Sequence, residues 1–160
     1  MSSLAGRNII AVPKWIVVVG ASAGGLEALR GLFGSLRPDL DAAFLVVVHI
    51  PPHSPSHLDK VLASATSMPV CAPRDDDDVE RGHVYVASAD RHLMIAEGKI
   101  RQTRGPKESR SRPAVDVLFR SAAVAYGPRT VGVVLSGMLD DGTAGLWAIK
   151  DRGGIALVQD

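Results

Sequence analysis

Residues 15–19 form an unbroken apolar run, Trp15-Ile16-Val17-Val18-Val19, that gives way at once to Gly20-Ala21-Ser22-Ala23-Gly24-Gly25. Leu26, Leu29, Leu32, Phe33 and Leu36 then recur at helical spacing, so the segment predicts strand, tight turn, helix. A second apolar run, residues 43–48, stops at His49-Ile50-Pro51-Pro52. Continuous runs of this kind belong to strands buried on both faces of a parallel sheet, and proline cannot extend the ladder. Ser54 or Ser56 supplies a cap for a following helix that reaches about residue 65.

The segments then shorten. Residues 70–72, 84–87, 93–96 and 99–103 predict short strands, with Glu97-Gly98 as a two-residue hairpin turn, and together they read as an antiparallel insert. Cys71 falls in what this pattern makes a buried strand. Pro113 opens a helix at its first turn, with Val117, Leu118, Ser121, Ala122 and Ala125 on one face, and Gly127-Pro128 ends it. Residues 130–135 predict another buried strand, Ser136-Gly137-Met138-Leu139-Asp140-Asp141-Gly142 its exit loop, residues 143–151 a helix closed by Gly153-Gly154, and residues 155–158 a last strand. Strands alternating with helices predict an α/β fold: a doubly wound, mainly parallel sheet with helices on both faces and a small antiparallel hairpin insert. Residues 1–14 read as an N-terminal extension and residues 15–160 as one domain. That length, with 46% hydrophobic side chains, suits a single core.

Charge narrows the partners. Eighteen basic against seventeen acidic residues leave a net charge of +1, which excludes a broad electrostatic footprint for nucleic acid or anionic membrane. No stretch approaches the roughly 20 apolar residues that span a bilayer, so direct membrane insertion is not expected. Arg7 and the Ala21-Ser22-Ala23 triplet imitate a signal peptide, but Pro13-Lys14 interrupts its apolar region, and a cytoplasmic start is the expectation. A lone cysteine excludes an internal disulfide framework and suits a reducing compartment. The run Asp75-Asp76-Asp77-Asp78 reads as a solvated loop, since adjacent carboxylates repel and need water.

In open α/β sheets, sites gather at the carboxyl ends of the strands. Three polar landmarks fall there: Ser22, His49 and the Asp140-Asp141 pair. A serine hydroxyl needs a base to take its proton, a neutral imidazole suits neutral pH, and a carboxylate fixes the imidazole tautomer. Backbone N–H groups of a glycine-rich turn entering a helix supply an oxyanion site, which places Ala23 beside the reaction. Gly20-Ala21-Ser22-Ala23-Gly24 matches G-x-S-x-G, although the order Ser, His, Asp differs from that of the α/β-hydrolases. The competing reading is a phosphate-cradling loop; G-x-G-x-x-G is not satisfied, because Ser22 takes the second glycine position. His49, His53 and His57 are spaced by four, but Pro51-Pro52 breaks any helix through all three, and no metal is expected. Asp140 and Asp141 remain alternatives, and either also suits a helix N-cap. Arg110 and Arg112 are candidates for steering a carboxylate-rich substrate.

Taken in order, five segments resemble the catalytic domain of the chemotaxis receptor methylesterases, the CheB family. They are Val19-Gly20-Ala21-Ser22-Ala23-Gly24-Gly25, His49-Ile50-Pro51-Pro52, Gly82-His83-Val84-Tyr85-Val86-Ala87, Arg112-Pro113-Ala114-Val115-Asp116-Val117-Leu118-Phe119 and Ser136-Gly137-Met138-Leu139-Asp140-Asp141-Gly142. The resemblance implies Ser22 as nucleophile, His49 as base and Asp141, rather than Asp140, as the acid, with the Met138 N–H as an oxyanion donor. It implies hydrolysis of glutamate γ-methyl esters, and deamidation of glutamines, on the cytoplasmic helices of methylated chemoreceptors, with no cofactor. Ala23, Leu139 and Ser111 depart from residues common at those places in the family. The receiver domain usual in the family is expected to be absent, and a separate signalling regulator is the expected control. The family domain normally continues past Gln159-Asp160, so a C-terminal part is expected to be missing. Two other readings keep the fold and change the role: a non-catalytic interaction module, and a phosphate- or nucleotide-binding domain.

Overall fold

The computed structural model describes residues 9–49, 57–135 and 140–159. Its elements are β1 (Trp15–Ser22), α1 (Leu26–Ser35), β2 (Ala42–His49), α2 (Leu58–Ala63), β3 (Val70–Cys71), β4 (Val84–Val86), β5 (His92–Ala96), β6 (Lys99–Thr103), α3 (Val115–Tyr126), β7 (Thr130–Leu135), α4 (Thr143–Asp151) and β8 (Ile155–Val158). Six strands form one sheet in the order β3-β4-β2-β1-β7-β8, every neighbouring pair parallel, and β5 with β6 forms a separate antiparallel hairpin. The expected doubly wound sheet with a hairpin insert is therefore present.

Period-two alternation sorts the sheet residues onto two cores. Ile16, Val18, Ala43, Leu45 and Val47 pack with α3, α4 and the hairpin. Val19, Ala21, Phe44, Val46 and Val48 pack with α1 and α2. Phe33 of α1 meets Phe44 of β2 edge-to-face, with centroids 5.6 Å apart. Trp15, Val17, Val131, Val133 and Leu157, with Leu32, Leu36 and Leu40, line an open apolar groove beside α1.

Four expectations need correction. The insert is smaller than read, because β3 and β4 join the parallel sheet, and only β5 and β6 are antiparallel. The apolar runs at β3 and β4, Val70-Cys71-Ala72 and Val84-Tyr85-Val86-Ala87, are too short to separate a sheet strand from a hairpin by pattern. Cys71 is exposed, since β3 is the edge strand. Pro113 lies outside α3, whose N-cap is the extended Ala114; Val117, Leu118 and Ala122 are buried as expected, together with Val115, Phe119 and Ala123, but Ala125 is exposed. Both leading strands are longer than their apolar runs. β1 continues through the glycine and ends on Ser22, and β2 ends on His49.

The Glu97-Gly98 turn is as expected, with both residues at positive φ. In the acidic run Asp75, Asp76 and Asp77 are exposed and Asp78 is half-buried, and the run is engaged: Asp76 pairs with Arg101, Asp78 with Lys99, and Asp75 accepts the Gln102 backbone N–H, so it flanks β6. The capping serines 54 and 56 lie outside the described residues.

Candidate functional site

Ser22 and His49 meet because of strand parity. They are register partners across β1 and β2, at the carboxyl end of both strands. Counting back by twos, Ser22 shares its face with Gly20, Val18 and Ile16, and His49 shares its face with Val47, Leu45 and Ala43. That is the α3–α4 face. Gly20 is needed there because a Cβ on it would come within 2.5 Å of Val115 at the start of α3, so its absence lets that helix end rest against β1.

Asp141 approaches from the loop between β7 and α4. Its Oδ2 lies 2.6 Å from Nε2 of His49. The same oxygen accepts from the Val115 N–H at 2.6 Å, and Oδ1 accepts from the Asp116 N–H at 2.8 Å. Asp141 thus caps a helix, as the alternative reading held, but the helix is α3 rather than its own α4. Two amino-terminal amides of α3 find their acceptor there, and the positive end of that helix faces the carboxylate. The Asp141 side chain is 1% exposed. Burial would raise its carboxyl, but the His49 hydrogen bond and the amides of Asp116 and Val115 outweigh burial and hold it below the usual carboxylate range. An ionised carboxylate only accepts, so Nε2 of His49 carries the proton in this pair and Nδ1 is the nitrogen left to act as a base. Asp140 is exposed.

Ser22 and Asp141 line one narrow cleft with Gly20, Ala21, Val115, Val134 and Leu135. Directly after Ser22, Ala23–Gly25 makes a turn of 3-10 helix that runs into α1, and no side chain caps that amino end. The Ala23 amide therefore stands beside the serine at a helix start, where a developing negative charge is favoured. Met138 lies outside the described residues. So does His53, and among the described residues no group of His, Cys, Asp and Glu is arranged to hold a metal.

The two arginines lie on the segment leading to α3. Arg112 donates from Nε and one terminal nitrogen to Asp90 Oδ1, and from the other to the Gly105 carbonyl, so its guanidinium ties the 90 and 105 loops together. Arg110 is exposed in the turn closed by the Glu108–Ser111 pair. Two buried groups near the site carried no role in the sequence reading. His92 joins the Pro106 carbonyl through Nε2 and accepts the Ala114 N–H at Nδ1, bracing the residue just ahead of α3. Asp116 accepts the Gly142 and Gly145 amides on Oδ1. Asp116 stands in the sequence as a lone polar residue within an apolar stretch, in one of the segments that carry the family resemblance, and His92 as a polar residue just ahead of the 93–96 run; periodicity assigns neither to the interior.

A doubly wound sheet on which a serine, a histidine and an aspartate converge at the strand ends defines an α/β protein with a Ser-His-Asp constellation. The family model described as CheB methylesterase matches residues 17–160. The chain belongs to that family. It is 39% identical over 153 residues to a protein-glutamate methylesterase/protein-glutamine glutaminase 2 of Methanosarcina mazei, covering 91% of this chain and 42% of that one. It is 41% identical over 157 residues to the protein of the same name from Methanosarcina acetivorans, covering 93% and 44%. The crystal structure of the Thermotoga maritima CheB methylesterase catalytic domain superposes with a TM-score of 0.82 at 35% identity, over 89% of this chain and 77% of that one. The chain thus spans less than half the length of these curated relatives. Among the described residues, no helix is long and apolar enough to cross a membrane.

Proposed function

We propose that this chain is a protein-glutamate methylesterase that hydrolyses glutamate γ-methyl esters on the cytoplasmic helices of chemoreceptors. The observation that carries the reading is the juxtaposition of Ser22 and His49 in register, with His49 held at 2.6 Å by a buried Asp141. In the proposed reaction, Ser22 Oγ attacks the ester carbonyl as its proton passes to Nδ1 of His49. The Ala23 amide, with that of Met138, stabilises the oxyanion. Methoxide leaves with the proton from His49 as methanol, and water, deprotonated by His49, releases the glutamate from Ser22. A glutamine side chain enters the same sequence with ammonia as the leaving group, in keeping with the second activity in the names of the relatives. Neither a cofactor nor a metal enters these steps. The phosphate-loop reading fits less well, because the cleft beside Ser22 contains a buried carboxylate held in its charged form.

Methanol release from a methylated receptor fragment tests substrate and nucleophile together. Wild type is expected to release methanol and to be labelled by a serine-directed phosphonate, and Ser22→Ala to do neither. Equal labelling of both would remove Ser22 from the role. Release unaffected by the substitution would overturn the mechanism.

A further inference from the structure

The two helices that flank the cleft exchange aspartates. Asp141, from the residues just before α4, accepts the Val115 and Asp116 amides at the start of α3. Asp116, from the first turn of α3, accepts the Gly142 amide at 2.9 Å and the Gly145 amide at 2.7 Å, at the start of α4. Each carboxylate therefore caps the helix that carries the other. Neither helix has a capping side chain of its own at its N-cap position, Ala114 for α3 and Gly142 for α4. The exchange requires the helix ends to touch, and Gly145 permits it: a Cβ there would lie 2.5 Å from Phe119 Cβ and 3.0 Å from the Asp116 oxygen itself.

We propose that Asp116 is a positioning residue for the reaction. By holding the Gly142 amide, immediately after Asp141, its carboxylate sets the backbone that aims Asp141 at His49. Asp116 acts on no substrate atom. Its Oδ1 takes two amides on one side of Asp141, while the Asp116 N–H anchors Asp141 from the other, so one residue grips the acid through both its side chain and its backbone. Burial of the Asp116 carboxyl and the nearby Asp141 charge raise it above the usual range, against the pull of the Gly145 and Gly142 amides. A group chosen only for stability would avoid that burden, whereas the need for a rigid acceptor of two amides explains it. The inference rests on the Ser-His-Asp reading above.

Its test compares Asp116→Ala, which removes the acceptor, with Asp116→Asn, which keeps an oxygen in the same place. For ester hydrolysis, Asp116→Ala is expected to lower kcat about 10- to 100-fold with KM within about twofold, while Asp116→Asn stays within about threefold of wild type. Independently of turnover, the hydrogen-bonded Nε2–H proton of His49 is expected in the NMR spectra of wild type and Asp116→Asn and to be lost from Asp116→Ala. A folded Asp116→Ala chain with wild-type kcat and an unchanged His49 resonance overturns the proposal, as does an Asn variant as impaired as the Ala variant. Should Asp116→Ala not fold, Asp116→Glu carries the test, because it keeps the charge but displaces the oxygens by one methylene; wild-type values for that variant overturn the proposal. If wild type itself releases no methanol, the methylesterase reading fails separately, and the His49 resonance alone decides the role of Asp116.

Discussion

Asp141 is where opposing effects are most finely set against each other. Its side chain is almost wholly removed from water, which disfavours charge, yet three N–H donors hold it ionised. Asp141→Asn replaces one accepting oxygen by an NH2 that faces an amide or the histidine, leaving a buried donor without an acceptor. A loss of about 1–3 kcal/mol is expected at pH 7, with kcat lowered by about three to four orders of magnitude through the misdirected imidazole. The pH dependence follows from the lowered carboxyl. Its stabilisation is complete above the unfolded-state value of about 3.9 and is lost as pH falls through the folded value. Urea unfolding of wild type and Asp141→Asn should therefore show a gap constant from about pH 5 upward that narrows below about pH 4. Asp116 has the opposite sign. Its raised carboxyl destabilises the fold above the carboxylate range, so Asp116→Asn is expected to match or exceed wild-type stability at pH 7, with any gain vanishing in acid.

Among the elements, the amino end of α3 does more than its sequence suggests. Its first amides hold Asp141, its preceding residue is braced by His92, and its first side chain fills the space left by Gly20. Gly20→Ala places a methyl group against a buried β-branched side chain. The expected cost is about 1–3 kcal/mol, with activity reduced because α3 must retreat from the cleft. Val115→Ala makes room for that methyl group, so the double variant should recover stability beyond the sum of the singles, as a double-mutant cycle in chemical denaturation will show. The pattern of apolar residues delivered nearly every element of this region, but the exact start of α3 was displaced by two residues, because its boundary is set by an acceptor distant in sequence rather than by Pro113. Ser22 and His49 were legible as strand-end residues, while their places as the last residues of β1 and β2 came from pairing that continues past the apolar runs.

In the whole molecule, both faces of the sheet open toward the edge strand β8. Leu157, 51% exposed, lines the groove beside α1, and Val158, 61% exposed, lines a second cavity on the other face with Leu146 and Trp147 of α4. Clusters of this kind on an isolated chain bind apolar probes. The 160-residue chain is expected to enhance ANS fluorescence at neutral pH, and Leu157→Lys to reduce that signal while changing stability by no more than about 0.5 kcal/mol. An unchanged signal would place the probe elsewhere. The site lies on the opposite face, so Leu157→Lys should leave phosphonate labelling of Ser22 as it is in wild type.

Local chemistry along the chain was enough to foresee the α/β class, the alternation of strands and helices from β1 to β8, and three polar residues at strand ends, because these depend on periodicity and on what glycine and proline do to a backbone. Asp141 could not be separated from Asp140 by such reasoning, since both stand in the same loop and suit the same cap. The choice between them depends on which carboxylate reaches the α3 amides and His49, a distance across 26 and 92 residues of chain. The same holds for β3 and β4, whose partners in the sheet are set by competition among strands, and for Asp116, whose burial no local pattern announces. Contacts between segments remote in sequence, in a dry cleft where each N–H must find an acceptor, turned candidate residues into an arrangement.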